Sequence, residues 1–242
     1  MDFNSLQNKK ILITGASSGI GRETAYLLSG LGCRLVINGT NEPRLSSTFE
    51  SLHGEGHIQF TGDLTDEIII TKLVGISPAL DGIVHCAGIT SHLPTQFVKT
   101  QNIYSVFDLN YKAPVLLTSM LLKKKKINKG ASILFISSVA TQNPYFGGSL
   151  YISSKSALEG YSKTLALELA GKGIRSNCIS PGYVKTSMTA AARETISDES
   201  MDRIENDQIL GAGEPIDVAK TIAYFLSDAS KWVTGTNLIL GG

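Results

Sequence analysis

Short apolar runs alternate with stretches of helical spacing along the whole chain. The runs are Lys10–Thr14, Cys33–Asn38, His57–Thr61, Asp81–His85, Ala131–Ile136, Ile174–Ile179 and Asn237–Leu240. Most are continuously apolar rather than alternating, which is the signature of strands covered on both faces. Between them lie helical segments: Arg22–Leu28, one opened by Asp66-Glu67, a long stretch from about Ile103 to Lys126, one starting at Tyr151, and one from Pro215 to about Leu226. In the Tyr151 segment, Ala157, Leu158, Tyr161, Leu165 and Leu169 keep helical period. Strand and helix alternate without a linker, repeat or shift in composition. The pattern predicts an α/β fold over residues 1–242: a single-domain, doubly wound parallel sheet (Rossmann-like) of about seven strands with helices on both faces. Ligands of such sheets bind at the carboxyl ends of the strands.

Composition changes this picture little. The 242 residues are 42% hydrophobic and 18% charged, with a net charge of +1. This is an ordinary globular balance that gives no basis for nucleic-acid binding. The cysteines Cys33, Cys86 and Cys178 are far apart and form no CxxC, so no metal site is expected and a reducing, cytoplasmic setting is. No apolar run approaches the ~18 residues of a membrane span, and Met1–Lys10 carries no apolar leader core. The lysines of Lys123–Lys126 read as a solvated face at a helix C-terminus, where cations suit the dipole.

Three stretches carry candidate chemistry. Gly15-Ala-Ser-Ser-Gly19-Ile-Gly21 joins the first strand to a helix. Glycines let backbone approach a pyrophosphate, and the helix N-terminus offers unpaired N–H groups and positive dipole. The second strand ends in Asn38-Gly-Thr40-Asn41 with no carboxylate for a ribose 2′-hydroxyl. Thr40, Asn41 and Arg44 could meet a 2′-phosphate there, which favours NADP over NAD; Arg44 could equally be a solvated helix residue. Tyr151 and Lys155 are four residues apart, on one helical face at roughly 5–6 Å between Cβ atoms. A cation so placed would lower the phenol pKa and make a proton donor.

These motifs resemble the short-chain dehydrogenase/reductase family over essentially the whole chain. Thr14-Gly-Ala-Ser-Ser-Gly-Ile-Gly21 is similar to its TGxxxGIG turn, and Tyr151-Ile-Ser-Ser-Lys155 to its YxxxK pair. Ser138 stands thirteen residues before Tyr151, and Asn110 matches a helix asparagine of the family. The resemblance implies NAD(P)-dependent hydride transfer between the cofactor and a carbonyl or secondary alcohol. Tyr151 would be the general acid/base, Lys155 its partner and a ribose anchor, Ser138 the partner of the substrate oxygen, and Asn110 the holder of a water. It implies cofactor contacts by Gly15, Ser17, Ser18, Gly19, Ile20, Gly21, Thr40, Asp63, Leu64, Ala87, Gly88, Tyr151 and Lys155. In the segment Pro181-Gly182 to Thr186, Pro181, Gly182, Val184 and Thr186 would hold the nicotinamide. It also implies a homotetramer or dimer built on the helices of Asn110 and Tyr151.

Two positions depart from the family pattern. Cys86 replaces the asparagine of an NAG tripeptide, for which some loss of local rigidity is expected, and the chain closes on Gly241-Gly242, where an interface contact would be missing. The general pattern is nearest to 3-oxoacyl-carrier-protein reductases, with sugar, steroid and other small-alcohol dehydrogenases as alternatives. Residues 183–212 read as a substrate flap carrying three cations against six carboxylates, which would repel an acidic carrier protein. A silent cofactor sensor or scaffold is the reading from another class; the presence of both Tyr151 and Lys155 counts against it.

Overall fold

A computed structural model describes residues 4–193 and 208–241. Seven strands form one all-parallel sheet: β1 (Lys10–Thr14), β2 (Arg34–Gly39), β3 (Ile58–Thr61), β4 (Leu80–His85), β5 (Ile127–Ile136), β6 (Arg175–Pro181) and β7 (Asn237–Leu240). Their spatial order is β3-β2-β1-β4-β5-β6-β7. The order reverses at β1, which pairs with β2 through Ile13 and Ile37 and with β4 through Thr14 and His85. Such a reversal opens a crease beyond the strand ends, because the next segments leave toward opposite faces.

The helices are α1 (Gly19–Gly30), α2 (Glu42–Glu50), α3 (Glu67–Ile76), α4 (Thr100–Phe107), α5 (Ala113–Lys123), α6 (Ser149–Leu169), α7 (Ser187–Arg193) and α8 (Pro215–Leu226). Ile11 and Ile13 of β1 pack with α1 and α8 residues such as Leu28 and Ile222 on one face. Leu12 points the other way, into a cluster with Leu73, Leu117 and Leu165 from α3, α5 and α6. Each fully buried Leu or Ile contributes about 1.5–3 kcal/mol, so both faces of the sheet have a core. Side-chain caps set the helix starts: Asn41 accepts from the Arg44 N–H and Asp66 from the Ile68 N–H. Among the described residues no helix is long and apolar enough to cross a membrane.

The structure differs from the sequence pattern in three places. The stretch 103–126 is not one helix: α4 and α5 meet in a π-turn at Asp108–Lys112, where the Ala113 N–H reaches back to the Asp108 carbonyl. Pro114 is the cause on the α5 side, since it has no N–H to give the Asn110 carbonyl. Strand β5 begins four residues earlier than its apolar run, at Ile127, which pairs with Leu80 across a bulge. Lys123, Lys124 and Lys125 are exposed as expected, but Lys126 turns its ammonium to the Ser77 and Gly75 carbonyls and closes the end of α3. Of the flap expected at 183–212, residues 194–207, with all six carboxylates counted there, lie outside the described residues.

Candidate active site

The glycine turn leaves β1 and folds against the segment leaving β4. Gly15 has φ +68°, and a Cβ there would stand 2.8 Å from the Ala87 nitrogen. A Cβ on Gly21 would stand within van der Waals overlap of the Gly15 carbonyl oxygen. Neither neighbour can yield, because both are backbone. Thr14 reinforces the approach, its hydroxyl accepting from the Ala87 N–H at 3.2 Å. The cradle that results is bare backbone at a helix N-terminus, which fits a pyrophosphate.

A cleft of about 450 Å³ runs along this cradle. Gly15, Ser17, Ser18, Gly19, Ile20, Gly21, Thr40, Leu64, Ala87, Gly88 and Thr186 all line it, as the sequence anticipates. Asp63 does not line it: its Oδ1 is held by the N–H and hydroxyl of Thr65, each at 2.9 Å, and its flanking residues Gly62 and Leu64 face the cleft instead. The structure adds Asn38, which sequence reasoning passed over. Asn38 is buried and donates to the Phe60 and Gly62 carbonyls, so it fixes the β3 exit along the cleft. The signal was available, since it is the polar residue ending an apolar strand. Arg44 lines this cleft and, with Arg22 and Lys185, a neighbouring groove of about 600 Å³. Lys185 is paired with Glu214 at 2.8 Å.

The cleft opens into a smaller pocket of about 110 Å³ lined by Ser138, Tyr151, Lys155, Pro181, Gly182, Val184 and Thr186. Ile20, Cys86, Gly88, Thr186 and Met188 line both spaces, so they are continuous. Ser138 ends the β5 segment and caps a short 3₁₀ turn, accepting from the Ala140 N–H at 3.2 Å. Tyr151 and Lys155 sit in the first turns of α6, where the spacing put them. The Pro181–Thr186 segment is pinned on both sides: the Gly182 N–H donates to the Leu240 carbonyl and the Lys185 N–H to that of Gly213.

Asn110 is fully buried in the π-turn. Its amide takes the Ile89 N–H at 2.8 Å and gives to the Ile89 carbonyl at 2.9 Å and the Ser154 hydroxyl at 3.0 Å. Both amide hydrogens are thus spent on protein. A Cβ on Gly88 would lie 3.1 Å from Asn110 Oδ1 and 3.3 Å from Lys155 Nζ, so glycine is what lets this loop pass over them.

The electrostatics differ from the simple Tyr–Lys expectation. Burial pushes the Tyr151 hydroxyl up to about 12, while a hydrogen bond with Ser138 pulls it down. Burial lowers Lys155 to about 8, and its Nζ donates to the Ile136 carbonyl at 2.8 Å. That ammonium stands 5.7 Å from the centre of the Tyr151 ring. The dominant influence on both groups is loss of water, and the hydrogen bond with Ser138 is what draws the tyrosine back toward the phenolate. Burial also pushes the Cys86 thiol up to about 12, with Lys155 acting against it.

A dinucleotide crease running into a pocket that holds a serine–tyrosine pair over a buried lysine defines a nicotinamide-dependent oxidoreductase acting on carbonyls or alcohols. The family model described as short chain dehydrogenase matches residues 9–197. The chain belongs to the short-chain dehydrogenase family, whose members use NAD(P). It is 34% identical to the 3-oxoacyl-[acyl-carrier-protein] reductase FabG of Rickettsia felis, over 98% of this chain and 97% of that protein. It is 31% identical to human dehydrogenase/reductase SDR family member 4, over 98% of this chain and 87% of that one. A solved actinorhodin polyketide ketoreductase with NADPH superposes with a TM-score of 0.88 at 29% identity, covering 97% of this chain and 96% of that one.

Proposed function

We propose that this chain is an NADPH-dependent reductase of 3-oxoacyl thioesters. The observation that carries the reading is the continuity of the glycine-lined cleft with the pocket where Ser138 and Tyr151 are hydrogen-bonded. A nicotinamide cofactor, when bound, supplies the hydride. The Ser138 hydroxyl hydrogen-bonds the substrate carbonyl oxygen and takes up charge as an alkoxide develops. The Tyr151 hydroxyl gives that oxygen its proton, forming the alcohol. Lys155, charged below about pH 8, lies beneath the pocket and favours the tyrosinate left behind. Asn110 holds the Ile89 backbone, and with it the loop that crosses Lys155.

The NADP preference is supported by the lack of a carboxylate at the end of β2 and by Arg44 and Arg22 beside the cleft. The thioester substrate is supported by the names of the bacterial relatives and the polyketide ketoreductase. The reductase in this reading is cytoplasmic and a homo-oligomer. Exposed Ile103 and Tyr104 on α4 and Leu167 on α6 support the latter, and light scattering tests it. The test of function is direct. Acetoacetyl thioester with NADPH should lose absorbance at the nicotinamide band when enzyme is added. Turnover of sugar or steroid ketones but not of the thioester would favour a small-alcohol dehydrogenase instead.

A further inference from the structure

Glu159 lies one helical turn beyond Lys155 and two beyond Tyr151, on the same side of α6. One of its carboxylate oxygens, Oε1, accepts from the Ser137 hydroxyl at 2.7 Å and from the Thr141 hydroxyl at 2.9 Å. Ser137 precedes the turn that Ser138 caps, and Thr141 is its last residue. The Thr141 hydroxyl also reaches the Ser138 carbonyl at 3.0 Å, and the Thr141 N–H reaches it at 3.1 Å. Both ends of the Ser138 turn are therefore tied through one oxygen atom to the helix that carries the tyrosine and lysine. No other side chain among the described residues bonds both flanks of this turn.

We infer that Glu159 is a positioning residue: it sets where the Ser138 hydroxyl stands relative to Tyr151, and so acts on the reaction through Ser138. The inference rests on the reading of Ser138 and Tyr151 as the pair that receives the carbonyl. Physically, Ser138 leaves a sheet strand whereas Tyr151 sits on a helix. Two elements packed by apolar contacts can slide by fractions of an ångström, and misplacement of about 1 Å can cost up to 10²-fold in rate. A carboxylate accepting two hydroxyl hydrogen bonds is a strong, short tie between them.

The experiment is a double-mutant cycle in the thioester reductase assay. Glu159→Ala should lower kcat about tenfold with KM for the thioester changed less than about twofold, since the lost alignment matters in the transition state. Glu159→Gln keeps an oxygen acceptor and should recover kcat to within about threefold. In a Ser138→Ala background, adding Glu159→Ala should cost less than about twofold, because the group it positions is gone. A tenfold loss in both backgrounds, or none in either, overturns the inference while leaving the proposed function standing. Thr141→Val removes one arm and supports the same comparison if Glu159→Ala does not fold. A crystal structure of Glu159→Ala decides independently of turnover. Ser138 Oγ displaced relative to the Tyr151 hydroxyl supports the inference; the two unmoved relative to each other sinks it, even if no carbonyl substrate is found and the functional reading itself fails.

Discussion

Asn110 and Ile89 exchange two hydrogen bonds, the side-chain amide of one pairing with the backbone of the other as a strand neighbour would. This pairing ties the loop after β4 to the π-turn. Asn110→Ala takes those partners from the part-buried Ile89 N–H and carbonyl, at about 1 kcal/mol. We expect urea denaturation to register that loss and an NADPH fluorescence titration to show weaker binding. A variant that is less stable but binds NADPH as wild type does would mean the clamp serves the fold alone.

Lys155 carries a pH dependence of definite sign. Its ordinary 10.5 is lowered to about 8 by burial. Between those values the unfolded chain holds a proton that the folded one has released, so this group's contribution to stability rises with pH across that window and is least favourable below it. Lys155→Met should therefore abolish reduction yet stabilise the ligand-free protein at pH 7, by about 1–3 kcal/mol after allowing for the lost bond to Ile136. The advantage should shrink toward pH 10. Equal differences at pH 7 and pH 10 would contradict this.

His85 should make the protein acid-labile. It is buried, stacked on Phe135 at 4.8 Å and bonded to the Thr118 hydroxyl at 2.9 Å, and burial lowers it from 6.5 to about 3. Between pH 6.5 and 3 the unfolded chain binds a proton that the folded one refuses, so stability falls as pH falls, on the order of 4 kcal/mol over the window. The pair His85→Phe with Thr118→Val replaces both partners by apolar groups and should flatten that part of the acid profile. A profile as steep as wild type's in chemical denaturation would remove His85 from the account.

Arg44 should discriminate the cofactors. An exposed guanidinium facing a phosphate is worth about 1–2 kcal/mol, so Arg44→Ala should weaken NADPH roughly tenfold. NADH, which has no 2′-phosphate, should bind unchanged. Equal weakening of both in parallel titrations would place Arg44 on a part that the two cofactors share.

The parallel sheet was legible because its inner strands, such as β1 and β4, are covered on both faces and read as largely apolar runs. The bounds failed where polarity interrupts a strand, as at Asn128-Lys129-Gly130 of β5. The placement of Tyr151 and Lys155 on one face of α6 was legible from their spacing, and the family resemblance pointed to Ser138, which lines the same pocket. The direction of the tyrosine's shift was not legible. It depends on how much water the assembled walls exclude, a property of five separate segments. Glu159 was invisible for a related reason: its partners lie 22 and 18 residues away, on the far side of a loop. Asp63 shows the converse, a residue matching by position whose side chain is taken by its own turn.

The π-turn at Asp108–Lys112 has one more implication, for how this chain can vary. Such a turn contains a residue more than the α-turn it replaces, so exchanging amino acids one for another cannot readily make or erase it. A library of single substitutions across this region would flag Asn110 and pass over the geometry that aims it. Deleting one residue between 108 and 112 would let the turn close as an ordinary α-turn, leaving the flanking helices in place while the side chains beside the gap shift by about a hundred degrees around the helix axis. Asn110 could keep its name and lose its address.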